Sequence, residues 1–316
     1  MLSDNLKLAA SGAGGGEPAT YIDDLFSINH YTGNGNTGQN IVNGVDLSEG
    51  GLVITKNITT SINGVIGSTG IGTNKYNSLY ATSSTSAVTS FTSYNTNGYS
   101  LGGTTSRVND SGDEYISYSF KKQEGFCDII TYTGNGQNRT ISHNLGVKPA
   151  LQIIKRTDGT GNWVALTKNA GINKFLYLNT NAAATSSTTM WNNTANTDTT
   201  ISIGTNSQVN TNGAEYVMYL FADSSSIFGE GGDEPVAKGL YYIGNGTSTK
   251  KLTFDFEPQF VLLKRLVGGT GNWWIFDTIH GITYNTTSDD GYWRFDSTST
   301  GTIDWLEINP DGATIK

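Results

Sequence analysis

At 316 residues the chain is long enough for two or three domains, and its net charge of −8 with a pI near 4.8 opposes the basic footprint of nucleic-acid binding. Charged residues make up only 15%, so the polar remainder is Gly, Ser, Thr and Asn, which favour turns, while 16 Tyr, 12 Phe and 6 Trp favour strands. No apolar run reaches the roughly 20 residues of a membrane span, and Cys127 is the only cysteine, which excludes a disulfide framework and a cysteine metal cluster. The N-terminus lacks the apolar core of a signal peptide, so synthesis in a cytoplasm without secretion is expected.

Residues 1–27 read as an arm with a Gly-rich joint, Ser11-Gly-Ala-Gly-Gly-Gly16, flanked by Leu2, Leu6 and Leu8 on one side and Tyr21, Ile22, Leu25 and Phe26 on the other. An apolar tip on a flexible tether suits docking into a groove. The motif Tyr-x-Gly-Asn-Gly then begins at Tyr31, Tyr132 and Tyr242. A Gly-Ile pair follows 35 residues beyond the last motif glycine each time, at Gly70, Gly171 and Gly281. A closing strand pattern, Glu114-Tyr115-Ile-Ser-Tyr118-Ser-Phe120, recurs as Glu215-Tyr216-Val-Met-Tyr219-Leu-Phe221. Matches that hold phase over such distances define a domain-sized repeat.

The repeats are predicted as three β-sandwich modules, at residues 28–122, 126–223 and 239–316, with an acidic linker at 224–238 as a hinge. In the second, strands are predicted at 126–133, 139–145, 151–156, 163–167, 174–179, 200–204 and 215–222. Gly33-Asn34-Gly35, Gly134-Asn135-Gly136 and Gly244-Asn245-Gly246 are read as hairpin turns. The third module is incomplete: its closing tyrosine would fall beyond Lys316, so a longer parent, or another chain or segment, has to cover its sheet edge. The fold class is all-β, built of tandem antiparallel sandwiches.

Chemistry-bearing patterns are sparse. His30, His143 and His280 occupy unrelated places in the repeat without a second ligand at metal spacing, and Cys127 sits in an apolar strand. Neither a metal nor a cofactor is expected. The acidic groups Asp110/Asp113/Glu114, Glu230/Asp233/Glu234 and Asp289/Asp290 lie in turn or linker sequence and read as solvated turns rather than paired catalytic acids. Trp163 and Trp273 are expected to pack inward. The candidate recognition surface is Trp191, Asn192 and Asn193 together with Tyr292, Trp293 and Arg294, where an aromatic ring stands among polar neighbours able to bind sugar hydroxyls.

Residues 132–136, 139–146, 148–149, 153–156, 161–163 and 216–221 together resemble a module of virion proteins in marine tailed phages, including cyanophages. The resemblance covers most of the chain from Tyr31 onward, weakly in the first module and incompletely in the third. It implies a virion structural protein without enzymatic activity, a tail fibre or adhesin in host attachment, with the N-terminal arm docking on the particle. Expected partners are other virion proteins, further copies of the chain in a homo-oligomer, with a trimer favoured, and a host surface glycan or protein. Nucleic acid and membrane insertion are not expected. The alternatives are a capsid- or tail-decorating protein and, third, a polysaccharide depolymerase.

Overall fold

The computed structural model describes residues 19–103, 107–223, 226–244, 246, 249–281, 290–303 and 305–316. Among these residues every strand pairing is antiparallel, and helix is confined to two single turns, α1 (Ile22–Leu25) and α2 (Ser207–Asn210).

The first unit contains β1 (Phe26–Thr32), β2 (Gln39–Ile41), β3 (Gly51–Asn57), β4 (Val65–Ser68), β5 (Asn77–Ser78), β6 (Phe91–Asn95), β7 (Gly98–Leu101) and β8 (Glu114–Lys121). Its large sheet has the order β1-β8-β3-β4-β5 and its small sheet the order β2-β7-β6. The second unit contains β9 (Cys127–Thr133), β10 (Arg139–Ser142), β11 (Leu151–Arg156), β12 (Trp163–Thr167), β13 (Lys174–Tyr177), β14 (Thr185–Ser186), β15 (Thr200–Ile203) and β16 (Glu215–Phe221). Here the large sheet runs β14-β13-β12-β11-β16-β9 and the small sheet pairs β10 with β15. A hairpin of β17 (Ser226–Phe228) and β18 (Glu234–Pro235) leads to the third unit. That unit pairs a sheet of β20 (Phe260–Lys264), β21 (Trp273–Asp277), β22 (Asp290–Arg294) and β23 (Thr300–Ile303), in that order, with a sheet of β19 (Lys250–Thr253), β25 (Gly312–Ile315) and β24 (Leu306–Asn309).

Period-two alternation divides each large sheet between two cores. In β3, Val53 joins Val65, Phe91 and Tyr99 inside the first sandwich, whereas Leu52 and Ile54 face the other way. In β16, Tyr216, Met218 and Leu220 fill the second sandwich, and Val217 and Tyr219 face away from it. The outward-facing sets do not meet water. They merge with Trp273, Ile275 and Trp293 of the third unit into one interior shared by all three large sheets. Covering a second apolar face in this way explains why β3 is buried along its whole length.

The glycine motif is a corner between sheets, which corrects the expected hairpin. Gly33 and Gly134 follow β1 and β9 in the large sheets, and the chain next enters β2 and β10 in the small sheets. Gly35 and Gly136 turn it with φ of 71° and 70°, in the left-handed region that only glycine enters freely. Gly33 and Gly134 lie under the returning loop: a Cβ there would sit 2.2 Å from Asp110 O and 2.1 Å from Thr211 O. The loop's asparagine completes the corner, Asn34 N donating to Asn109 Oδ1 at 2.9 Å and Asn135 N to Asn210 Oδ1 at 2.8 Å. Tyr31 and Tyr132 each donate a hydroxyl to the equivalent carbonyl, Val108 O and Val209 O, and stack on Tyr115 and Tyr216.

Two segments expected to be mobile are held in place. Leu25 and Phe26, assigned to the docking arm, are buried in the shared interior, and Ile22 packs against it; only Tyr21 is well exposed. Both lie at the start of β1, where the large sheet's outer face demands apolar cover. Leu2, Leu6 and Leu8 lie outside the described residues. The 224–238 segment is no free hinge either: Phe228 is buried in the shared interior, and Gly229 N donates to Thr20 O at 2.8 Å.

A Cβ at Gly134 has to displace a backbone carbonyl, so Gly134→Ala is expected to lose about 1–3 kcal/mol in urea unfolding. None of the described residues lies within 4 Å of the corresponding Cβ position at Gly244. Gly244→Ala is therefore expected to stay within about 0.5 kcal/mol of the parent in the same assay.

Candidate recognition surface

The six residues expected at the surface separate into two groups. Trp191 and Trp293 are fully buried, which corrects their assignment. Trp191 fills the second sandwich and donates its indole N–H to Lys174 O at 2.8 Å, so both the ring's area and its polar edge are satisfied inside. Trp293 points from β22 into the shared interior and donates to the Tyr118 hydroxyl at 2.7 Å. Asn192 and Asn193 follow Trp191 in left-handed conformation, φ 51° and 49°; Asn193 is exposed and Asn192 half-buried. Tyr292 and Arg294, on the opposite face of β22 from Trp293, remain half-buried.

These two join Trp274 and Trp305 in an aromatic cluster that the sequence reading missed. The Trp274 ring meets Tyr292 at 4.7 Å and Trp305 at 4.8 Å between centroids, both edge to face, and the Arg294 guanidinium lies over Trp274 at 5.5 Å. Arg294 is held by Ser299 Oγ at 2.9 Å, and Asn272, with its amide oriented to suit, accepts from Arg294 and donates to Asp296. Trp274, Tyr292 and Trp305 are each half-buried. Indole and phenol faces beside amide, hydroxyl and guanidinium groups are the chemistry with which proteins hold sugar rings.

The buried tryptophans form a cyclic seam between units. Trp163 of the second unit donates to Ser78 O of the first at 2.9 Å, and Trp273 of the third donates to Tyr177 O of the second at 2.8 Å. Ser78 and Tyr177 are equivalent, each paired with the valine that opens the neighbouring hydrogen-bonded ladder, Val65 or Val164. The first unit has Gly64 where the others have tryptophan. Trp293 takes that space, its Cζ3 lying 3.1 Å from where a Gly64 Cβ would be.

Polar groups in the seam gather around Asp277. Tyr118 donates to Asp277 Oδ2 at 2.7 Å, His280 Nδ1 lies 2.6 Å from the same oxygen, and the His280 and Ile279 amides bind Oδ1. Burial alone would raise the Asp277 carboxyl, but the hydrogen bonds from His280 and Tyr118 outweigh it and hold the group below its ordinary value. Burial and the Asp277 charge push the Tyr118 hydroxyl well up. Tyr118, Asp277 and Trp293 are sealed from solvent, so this line of polar groups joins units rather than facing a cleft.

Lys56, Lys155 and Lys264 occupy equivalent places, Lys155 and Lys264 opposite Trp163 and Trp273. Each ammonium binds the carbonyl of the following turn: Lys56 Nζ to Ile62 O and Lys155 Nζ to Gly161 O, both at 2.7 Å, and Lys264 Nζ to Gly271 O. Burial pulls all three down to about 8. The acidic groups are likewise engaged or exposed. Asp113 accepts from Asn57 Nδ2, Glu114 from Thr32 and His30, and Glu230, Asp233 and Glu234 are exposed around the β17–β18 hairpin. Asp289 and the side chain of Asp290 lie outside the described residues. Among the described residues no three His, Cys, Asp or Glu side chains are grouped to hold a metal, and no helix is long and apolar enough to cross a membrane.

The molecule is thus an all-β protein of antiparallel sandwiches around a shared interior. The chain belongs to the family described as a domain of unknown function, DUF7483, whose profile matches residues 123–292, more than half its length. The match begins where Gln123 bridges to Cys127, takes in the whole second unit and ends within β22. No curated protein and no solved structure matched the chain.

Trp293→Ala empties the Gly64 space and removes the indole donor to the Tyr118 oxygen, whose hydroxyl still donates to Asp277. It is expected to cost about 3–5 kcal/mol in denaturant unfolding. Asn193→Ala, at an exposed site, is expected to stay within about 0.5 kcal/mol. The buried lysines set a pH dependence. Their folded values lie below the ordinary value of 10.5, so between about pH 8 and pH 10 the unfolded chain holds more protons and stability rises with pH. Buried tyrosines act in the opposite sense, because Tyr115 is raised to about 12 and Tyr31, Tyr118 and Tyr132 lie well above 10.0. Above pH 10 the unfolded chain loses phenolic protons first and stability falls. The urea midpoint is expected to rise from about pH 8 and peak near pH 10, and Lys56→Met, Lys155→Met and Lys264→Met combined should remove the rise.

Proposed function

We propose that the chain is a structural protein of a tailed-phage virion, a tail fibre or adhesin that contacts the host surface. The observation that carries this reading is the Gly-Asn corner module. It is the part of the sequence that resembles phage virion modules, and its tyrosine, asparagine and glycine contacts repeat from the first unit to the second. A non-enzymatic role is supported by where the buried charges go: the lysines bind turn carbonyls, and Asp277 binds His280 and Tyr118 between units.

The aromatic cluster of Trp274, Tyr292 and Trp305 with Arg294 is the surface best suited to a host glycan, with ring stacking on the indoles and the guanidinium binding hydroxyls. Residues 1–18 supply the particle-docking arm in this reading, since residues 25 and 26 belong to the core. Other virion proteins and further copies of the chain are its partners there.

Purified full-length chain is expected to bind host cells, and Trp305→Ala to weaken that binding about two- to tenfold, in line with the roughly 0.5–1.5 kcal/mol of an aromatic contact. Mass spectrometry of purified particles should find the chain, and deletion of residues 1–18 should remove it from them. Presence on particles without cell binding would favour a decorating protein. Release of reducing sugar from host envelope would replace the reading with a depolymerase, and absence from particles would end it.

A further inference from the structure

Among the described residues the third unit has no counterpart of the strand that completes the large sheets of the other two. In the first unit β8 lies between β1 and β3, and in the second β16 lies between β9 and β11. The strand β20 corresponds to β3 and β11, since Lys264 on it is placed like Lys56 and Lys155. Among the described residues β20 has a sheet neighbour on one side only, β21. Residues 239–244 correspond to β1 and β9 and carry the motif tyrosine Tyr242, yet they form no strand. Leu240, Tyr241 and Ile243 there are 37%, 52% and 72% exposed. Every residue of β20 is half-buried, where β3 is buried throughout. A cavity of about 1180 Å³ lies between these segments, lined among others by Thr167, Phe221, Tyr242, Phe260 and Leu262.

The walls of this gap specify its occupant. In both complete units the inner tyrosine of the closing strand hydrogen-bonds across the seam to one equivalent position of a neighbouring unit. Tyr219 meets Ser68 Oγ at 3.0 Å, and Tyr118 meets Asp277 Oδ2 at 2.7 Å. The third equivalent of Ser68 and Asp277 is Thr167, at the end of β12, and its Oγ1 is buried with no hydrogen-bond partner among the described residues. The same absence appears at the corner. Gly33 and Gly134 are roofed by the loop that leads into the closing strand, whereas none of the described residues lies within 4 Å of the Gly244 Cβ position. An open ladder edge, an unstacked motif tyrosine, an orphan hydroxyl and an uncovered glycine all describe one missing strand.

The geometry points to a strand-acceptor slot: the gap between β20 and residues 237–243 takes an antiparallel strand of the pattern Glu-Tyr-x-x-Tyr-x-Phe, supplied by a polypeptide segment outside the described residues. Registers in the complete units place Phe120 opposite Leu52, Tyr118 opposite Ile54 and Tyr115 opposite Asn57, and correspondingly Phe221, Tyr219 and Tyr216 opposite Leu151, Ile153 and Arg156. Carried to β20, the incoming Phe lies opposite Phe260, the inner Tyr opposite Leu262 with its hydroxyl on Thr167, and the first Tyr opposite Arg265, stacked on Tyr242. Main-chain hydrogen bonds to β20 supply affinity, and the alternate aromatic side chains supply selectivity. The slot is a consequence of the fold and holds whether or not the chain belongs to a virion.

The test uses full-length chain and a synthetic peptide copying residues 209–222, which carry the loop and closing strand of the second unit. Titration calorimetry is expected to give saturable one-to-one binding, with a raised Tm. A Tyr219→Phe peptide should bind about tenfold more weakly, the loss of one buried hydrogen bond. Thr167→Val protein should bind the parent peptide more weakly and discriminate no further between the two peptides. Gly244→Ala should keep the Tm of the free protein and weaken peptide binding, because the incoming loop meets the added methyl group. The proposal is overturned if the folded chain gives no binding, or if a scrambled peptide binds equally. It is also overturned if the chain dimerises through β20 and the peptide does not compete, which would make a second copy the occupant.

Discussion

A sheet with two apolar faces has to be covered twice, and that requirement organises this protein. Each large sheet turns one face into its own sandwich and the other onto its neighbours, so the units are bound by a core rather than strung on linkers. Burying an aromatic or branched side chain contributes about 1.5–3 kcal/mol. The shared interior holds Phe120, Phe126, Trp163, Tyr219, Trp273 and Trp293 among others, which makes separation of the units costly. The contact is directional as well as apolar. Each tryptophan spends its single N–H on a defined oxygen of the next unit, so rotation of one unit against another breaks a hydrogen bond that water cannot replace.

Burying so much of the sheets forces polar groups inside, and the sequence handles them locally. A lysine opposite each seam position reaches over to the carbonyl of the adjoining turn, with Trp163 or Trp273 beside the ammonium at 6.0 and 5.3 Å. Asp277 gathers two amides, a histidine and a tyrosine. Where the partner strand is missing, at Thr167, the same logic leaves an orphan. The third unit therefore departs from the pattern in its sheet and its cavity at one place, beside the unpartnered Thr167 hydroxyl of the second unit.

Much of this was readable along the chain and the rest was not, for physical reasons. The strands of the second unit fall within a few residues of their predicted bounds because turn glycines and asparagines punctuate short β-branched and aromatic runs. The runs Leu52-Val-Ile-Thr55, Leu151-Gln-Ile-Ile154 and Phe260-Val-Leu-Leu263 signal burial on both faces, but nothing local says what covers the second face. That depends on contacts some 85–175 positions apart, such as Trp163 to Ser78 and Trp293 to Tyr118. Trp191 and Trp293 misled because their sequence neighbours are polar. The signal for Trp293 was alternation: Trp293 and Phe295 share one face of β22, Tyr292 and Arg294 the other. The three seam lysines carried no signal in the sequence because a buried cation is recognised only by the carbonyl it meets. The hairpin reading of the motif failed because a Gly-Asn-Gly corner looks the same whether the next strand pairs in the same sheet or crosses to another.

The central claim, that the units share one interior, is tested most directly by differential scanning calorimetry of the full-length chain. A single transition, with calorimetric and van't Hoff enthalpies equal, is the result the shared core predicts. Separate transitions for independently melting sandwiches would contradict it.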